Sequence, residues 1–525
     1  MAKIYLRVGD KVKEAQLEAG GNILDYARES GIPIASRCGG NGTCGECRVV
    51  VEQGGELLSA RSDSEKSLGG MERLACQAEV TGTGGDLYMR VIHYGNMQVL
   101  SEGSSRKIPL DPLTKKVGGN VVFDNRRIGD YRGHIYGIAA DIGTTTVVLH
   151  LMDLENGNLV STHAFENPQR SIDGDNVIAR IAYDRDNPGR LQKKLVACIN
   201  REIKRMKCDA HDIFEMVVVG NSTMRDLFFG LDVQTIGIVP YKSVTELKGG
   251  STSLNMEAKN LGLGINPLAN IYGPPLIGSH VGADTVAVCL SSGIFETDKT
   301  AMAIDIGTNG EIVLRHDNVI LAASCAAGGA LERIPGIEGA IERISMDGRI
   351  SYETIGNAKP IGICGSGIVD FLAEALRTGV MDCNGRLGNG DRFMITDGIY
   401  VESRYTAGDF LLGKAAVSLG IGALLREAGI RFDDIELVYL AGSYGNHINP
   451  LNAMRIGLIP NVDLGKIVRI GNAAASGAKE ILLNMGNRGI AEDGAKKVRH
   501  VALESLDDYS DRLMDELSFM ELRSA

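Results

Sequence analysis

The chain has no tryptophan and no excess of positive charge. Fifty-five basic residues face 66 acidic ones, a net charge of −11. An acidic balance of that size argues against nucleic acid as a main partner. Long apolar runs are also missing. The longest uncharged stretch, 261–283, holds three prolines, five glycines and two asparagines. No membrane span is expected from it. The first eight residues, Met-Ala-Lys-Ile-Tyr-Leu-Arg-Val, alternate like a strand, unlike a secretory signal. A cytoplasmic protein is expected, with ten cysteines kept reduced. Glycine is abundant, 67 of 525 residues, without a G-X-Y period. That excludes collagen and points to tight turns and close backbone approaches. The length requires more than one domain.

The cysteines are unevenly spread. Cys38, Cys44, Cys47 and Cys76 crowd the first 80 residues in the pattern C-x5-C-x2-C-x28-C. Four thiolates match the needs of a [2Fe–2S] cluster. Gly39, Gly40, Gly42 and Gly45 let the loop bend around a cluster and present backbone amides to its sulfides. Structural zinc favours two close pairs, whereas three of these cysteines share one loop. The flanking pattern predicts a hairpin over 3–8 and 12–17, a helix over 23–30 and a strand over 48–52. This order resembles plant-type ferredoxins of the β-grasp fold, with one extra residue between the first two cysteines. Residues 1–95 are assigned to this module.

Residues 96–133 read as a linker with a short strand at Val121 to Phe123. From residue 134 the pattern changes. Asp141-Ile-Gly143-Thr144-Thr145 interrupts an apolar hairpin, and Asp305-Ile-Gly307-Thr308-Asn309-Gly310-Glu311 interrupts a second. Each is followed by an apolar strand ending in glycine, at Gly220 and Gly442. Helical patterns cover 189–206 and 411–428. A duplicated α/β unit explains both echoes, with halves 134–295 and 296–485 and a tail 486–525. Such turns suit phosphate: glycine removes the Cβ, and Thr144, Thr145, Thr308 and Asn309 add donors. Asp141 and Asp305 suit a hydrated Mg²⁺ between carboxylate and phosphate.

This arrangement resembles the actin, sugar-kinase, acetate-kinase and heat-shock-chaperone (ASKHA) ATPases. The overall class is then α+β and multidomain, a β-grasp ferredoxin followed by a duplicated α/β ATPase. The resemblance implies that Gly442-Ser443-Tyr444-Gly445-Asn446 is the adenosine loop. It also implies that Gly471-Asn472 opens an interdomain connecting helix. The whole chain resembles the reductive activators of corrinoid-dependent methyltransferases and corrinoid iron–sulfur proteins. The matching segments include Asn167-Pro168-Gln169, Gly174-Asp175, Gly220-Asn221-Ser222-Thr223-Met224, Val281-Gly282-Ala283-Asp284, Gly362 to Gly367 and Arg455 to Pro460. The resemblance implies ATP-driven reduction of a Co(II) corrinoid protein to Co(I) through the cluster. It implies ATP and Mg²⁺ as ligands, a corrinoid protein and an upstream low-potential donor as partners, and a homodimer as one assembly. Two departures stand out. Only about 40 residues separate ferredoxin and ATPase, where many members carry a larger linker and middle region. The loop Ser324-Cys325-Ala-Ala-Gly328-Gly329 lacks the family's proline and aromatic.

Other residues carry weaker signals. Ser366 is a candidate for phosphate or corrinoid contact, and Glu311 for orienting the attacking water. Cys325 and Cys364 read as small buried residues, as do Cys198, Cys208, Cys289 and Cys383. His280 and His447 are left as structural histidines. Residues 511–522 have helical spacing. No cysteine cluster occupies the C-terminal part. Competing functions are an activator of another low-potential metalloenzyme, and a non-catalytic iron–sulfur, nucleotide-binding sensor.

Overall fold

The computed structural model describes residues 2–520 except 9–10, 30–31, 33, 35–41, 43–46, 67, 69, 92–107, 172–175, 308, 328–330, 332–333, 335 and 389. Cys38, Cys44, Gly39, Gly40, Gly45, Gly174, Asp175, Thr308, Gly328 and Gly329 therefore lie outside the described residues.

In the first module Lys3–Val8 pairs antiparallel with Lys11–Gln16 and parallel with Leu87–Val91. Arg48–Gln53 pairs antiparallel with Leu87–Val91 and with Glu72–Leu74, closing a five-stranded sheet. The helix Ile23–Glu29 buries Ile23, Leu24 and Ala27 in the module's core. These elements match the hairpin, helix and strand expected there. A buried ion pair pins the return loop. Arg73 Nε donates to Glu65 Oε1 at 2.8 Å, and the Ser62 and Leu74 amides donate to the same carboxylate. Burial alone would raise the Glu65 pKa. The Arg73 guanidinium and the two amides outweigh it and hold the group below its ordinary value.

The segment expected to be a linker is more ordered than its composition suggested. Thr114–Val117, Asn120–Phe123 and Arg126–Asp130 form a three-stranded antiparallel sheet. Val121 and Ile128 are fully buried in a core shared with the large domain. Thr114 Oγ1 donates to Glu215 Oε2 at 2.6 Å, and Arg488 pairs with the other oxygen. Strands this short bury at most one apolar residue each, so sequence periodicity had little to register.

The large domain is duplicated in topology. In the first half Leu159–Glu166, Thr146–Asp153 and Tyr136–Ile142 form an antiparallel meander, and Ile213–Val219 adds parallel to the Asp141 strand. In the second half Val319–Cys325, Gly310–His316 and Ala301–Ile306 repeat the meander. Leu437–Ala441 adds parallel to the Asp305 strand. Each half then sends a helix, Ala283–Ser292 or Ala473–Leu483, into one shared core. The two helices touch at Gly477, where a Cβ would sit 2.1 Å from the Ala287 carbonyl oxygen. Glycine is required there by this backbone approach.

The C-terminal region is part of the second half. Val498–His500 adds as an edge strand parallel to Val319–Cys325, and Met485–Lys497 packs as a helix beside the shared core. The helix expected over 511–522 is shorter and earlier, Tyr509–Asp515. After it, Lys414 Nζ donates to the Glu516 and Ser518 carbonyls, so the backbone leaves helical geometry to satisfy a buried ammonium. The helical stretch Tyr405–Ala428 has the length and apolarity of a membrane span, yet most of it is buried in the second half.

Replacing Glu65 with glutamine leaves the Arg73 charge buried without its partner. The expected loss is about 3–5 kcal/mol, read by calorimetry of the first module. Because the folded pKa is depressed, the pair stabilises above the ordinary glutamate value and its contribution disappears as pH falls through the folded value. The parent and variant midpoints should therefore converge in acid.

Candidate nucleotide site and cluster ligands

The two Asp-Ile-Gly turns sit at equivalent ends of the two sheets. Gly143 N–H donates to Thr146 O at 2.9 Å, and Gly307 N–H donates to Asn309 O at 3.0 Å. The glycine amides thus close the turns, and phosphate would meet the groups that follow them. A Cβ on Gly143 would lie 2.7 Å from Thr146 O, so the tight turn itself demands glycine.

The first turn is held from behind. Asn167 Nδ2 donates to Gly143 O at 2.8 Å, and Asn167 N–H donates to Thr145 O. The buried Arg180 donates to Thr144 O at 2.6 Å. Asn221 Nδ2 donates to Thr144 Oγ1 at 3.1 Å. Asn221 also caps the helix Ser222–Phe229. Gly220 O accepts from the Ala283 and Asp284 amides, and a Cβ on Gly282 would lie 2.5 Å from Asn221 Cα. The Asn167, Gly220-Asn221 and Gly282-Asp284 segments are therefore one supporting shell.

Four carboxylates gather at this junction. Asp141 Oδ2 accepts from Asn472 Nδ2 at 3.1 Å, across the two halves. Asp284, in the first turn of its helix, accepts from the Thr285 amide at 2.7 Å. Asp305 lies beneath Gly442, where a Cβ would sit 2.4 Å from its Oδ1 and φ is +78°. Glu311 faces Asp305 in the strand register, and its Oε1 accepts from Ser324 Oγ at 3.5 Å. Burial raises the Asp141 pKa to about 6, with Asn472 opposing. Burial, then the charges of Asp284 and Asp141, raise Asp305 to about 7. Burial and Asp141 push Asp284 up, and burial with Asp284 and Asp305 pushes Glu311 well up. Each keeps some surface reached by solvent, so a ligand has access. No lysine or arginine stands among the leading influences on their pKa values. The arrangement calls for a cation. Among the described residues no group of three or more histidine, cysteine or acidic side chains is tight enough to hold a metal alone. That suits a hydrated Mg²⁺ completed by phosphate oxygens.

Of the other expected residues, Gly442, Ser443, Gly445 and Asn446 lie on the short helix Gly442–His447, directly after the strand that pairs with the Asp305 strand. Asn309 and Gly310 follow the second turn. Ser366 is buried in the first turn of Gly365–Arg377 and faces Cys364 Sγ at 3.4 Å. Tyr444 packs on Gly365, with a Cβ there 2.2 Å from its ring, so Ser366 neighbours the helix Gly442–His447. Cys325 and Cys364 are buried. Cys325 packs against Gly420, and burial raises its pKa. Cys325 lacks the environment of a reactive thiolate.

In the first module Cys47 and Cys76 Sγ atoms are 3.3 Å apart and both residues are buried. This is too long for a disulfide and close enough for two thiolates on one tetrahedral metal. Gly42, in the same loop, has φ +74°, as a loop wrapping a cluster requires. The residues present fit an iron–sulfur group.

These features define a ferredoxin module joined to an ASKHA-type fold, and comparison with known proteins agrees. The family model of the 2Fe-2S iron-sulfur cluster binding domain matches residues 7–81. That of the RACo middle region matches 136–297, and that of the C-terminal domain of RACo, the ASKHA domain, matches 299–524. The corrinoid activation enzyme RamQ of Eubacterium limosum is 31% identical over 92% of this chain and 93% of its own. The [Co(II) methylated amine-specific corrinoid protein] reductase of Methanosarcina barkeri is 24% identical over 73% of this chain and 77% of its own. A solved reductive activator for corrinoid, iron-sulfur protein superposes with a TM-score of 0.71 at 25% identity, covering 99% of both chains. The chain belongs to the family of corrinoid-protein reductive activators. The middle region expected to be reduced is present: it is the first half of the duplicated domain, 136–297.

Asp284, Asn221, Asn167, Arg180 and Asn472 were not singled out as site residues. All five lay inside segments already matched to the family or to the connecting helix, Arg180 at the end of the run that begins Gly174-Asp175. Only the fold shows that they converge.

Replacing Asp305 with asparagine should stabilise the nucleotide-free protein at pH 8. The raised pKa means that Asp305 costs stability progressively as pH climbs from its ordinary value near 3.8 to about 7, with the full cost present above that. The gain at pH 8 is at least about 1.4 kcal/mol, the equivalent of one pH unit, and vanishes only below about pH 4, where the acid is protonated in the folded and unfolded chain alike. Calorimetry of the large domain against pH reads it. A gain independent of pH would show that Asp305 does not titrate in a crowded site.

Proposed function

We propose that this protein uses ATP to drive one electron from a [2Fe–2S] cluster into an inactive Co(II) corrinoid protein, giving Co(I). The observation that carries this reading is one chain joining converging cluster thiols to two carboxylate turns facing a shared core, in a family whose members are activators of corrinoid proteins. The cluster supplies one-electron chemistry at low potential. An upstream donor of low potential returns the electron, and ATP leaves as ADP and phosphate.

The residues divide the work. Asp141, Asp284 and Asp305 would hold hydrated Mg²⁺ against the phosphates. Thr144, Thr145, Thr308 and Asn309 would donate to the phosphates, and Gly442 to Asn446 would border the adenosine. Glu311, whose raised pKa suits a base, would take a proton from the attacking water. Cys38, Cys44, Cys47 and Cys76 would hold the cluster. Asn472 links Asp141 to the connecting helix of the other half, so closure on nucleotide would move both halves together. Such closure drives reduction only through different affinities for the nucleotide states.

Two variants separate the steps. Glu311→Gln should lower ATP turnover by about 10²–10⁴-fold while nucleotide still binds. Cys76→Ala should abolish corrinoid reduction and leave basal ATP hydrolysis near the parent rate. Phosphate release and Co(I) absorbance, with and without a Co(II) corrinoid protein, read both. Loss of ATP hydrolysis in Cys76→Ala, or full corrinoid reduction in Glu311→Gln, would contradict the division of roles.

A further inference from the structure

The helix Arg190–Ile203 turns one face into the core through Leu191, Leu195, Ile199 and Ile203. Its other face is basic. Between 190 and 207 there are seven basic residues and one acidic, in a chain whose net charge is −11. Arg190, Lys193, Lys204 and Lys207 are exposed. None of these four side chains is in an ion pair among the described residues, whereas Arg205 is neutralised by Glu202. The stripe is about 20 Å long at helical rise.

The first module carries a complementary edge. Segments 17–27, 54–60 and 75–83 adjoin through the Asn22–Glu79 and Leu58–Val80 bridges and the Ser59–Glu79 hydrogen bond. Together they hold Glu18, Asp25, Glu56 and Glu79 and no lysine or arginine. All four acids are exposed. Cys76 lies on the third segment. No backbone hydrogen bond, bridge or sheet among the described residues joins 2–91 to 108–520.

The chain is long enough to bring the two together. Leu110, just past the tether, packs on Gly157. The strand Leu159–Glu166 runs from there to His163, 3.5 Å from Glu202 on the basic helix. That path is about 20 Å. The residues 92–107 span up to about 50 Å.

We propose that the ferredoxin module docks by its Glu18-Glu56-Glu79 edge on the basic helix of its own chain, between rounds of electron delivery. A tether gives an effective concentration on the order of millimolar, so a weak electrostatic contact populates the docked state. The contact is salt-sensitive, because screening shortens from about 10 Å at 0.1 M salt to about 3 Å at 1 M. Docking goes beyond the proposed function and does not require it, since it concerns only where the module rests.

The test is carbodiimide cross-linking of the full-length chain, mapped by mass spectrometry, in 20 mM and 1 M sodium chloride. An equal mixture of ¹⁴N and ¹⁵N protein separates links within a chain from links between copies. Expected are links within one chain from Glu18, Glu56 or Glu79 to Lys193, Lys204 or Lys207, roughly ten-fold fewer at high salt. Arg190→Glu with Arg205→Glu, neither of which removes a cross-linking amine, should reduce them similarly. If that variant fails to fold, the salt comparison on the parent chain decides. Absent links, links unaffected by salt, or links only between copies overturn the proposal.

Discussion

The structure depends on the burial of four like charges at one junction. Asp141, Asp284, Asp305 and Glu311 come from different strands and a helix; burial raises the proton affinity of all four, and neighbouring acids raise that of Asp284, Asp305 and Glu311 further. A stability-first design would not place them together, since uncompensated buried charge is costly. In the proposed function a cation and a polyphosphate would offset that cost, so the same feature that destabilises the empty site would favour a metal-bound nucleotide.

Much of the surrounding fold exists to hold that junction. Asn167, Arg180 and Asn221 fix the first turn by its carbonyls and hydroxyl. Gly220, Gly282 and Gly477 let backbones approach where a side chain would collide. The connecting helices cross in a core that belongs to both halves. Asn472 then reaches from one half to the acid of the other. Under the proposed function, a change in how phosphate occupies the turns would reach the relation between the halves through these direct contacts.

The repeat, the ferredoxin module and the main helices were legible because each follows a local rule. The helix expected over 411–428 is observed as Leu411–Ala428. The paired Asp-Ile-Gly turns fall at matching strand ends. What stayed hidden depends on distance in sequence. Asp284 is one acid in a helix start until Gly220 carbonyl contacts fold it beside Asp305. The sheet over 114–130 is too short for periodicity, and its stabilising partner Glu215 lies about 100 residues away. The final edge strand, Val498–His500, has three residues and no pattern of its own.

Coupling between ATP and a low-potential electron requires that nucleotide change the energetics of the bound corrinoid protein. The most direct test is a spectroscopic redox titration of the Co(II)/Co(I) couple in a partner corrinoid protein, alone, with the activator, and with activator and Mg-ATP. An upward shift in midpoint only when activator and Mg-ATP are both present is the expected result. An unchanged midpoint would contradict ATP-driven reduction by this chain.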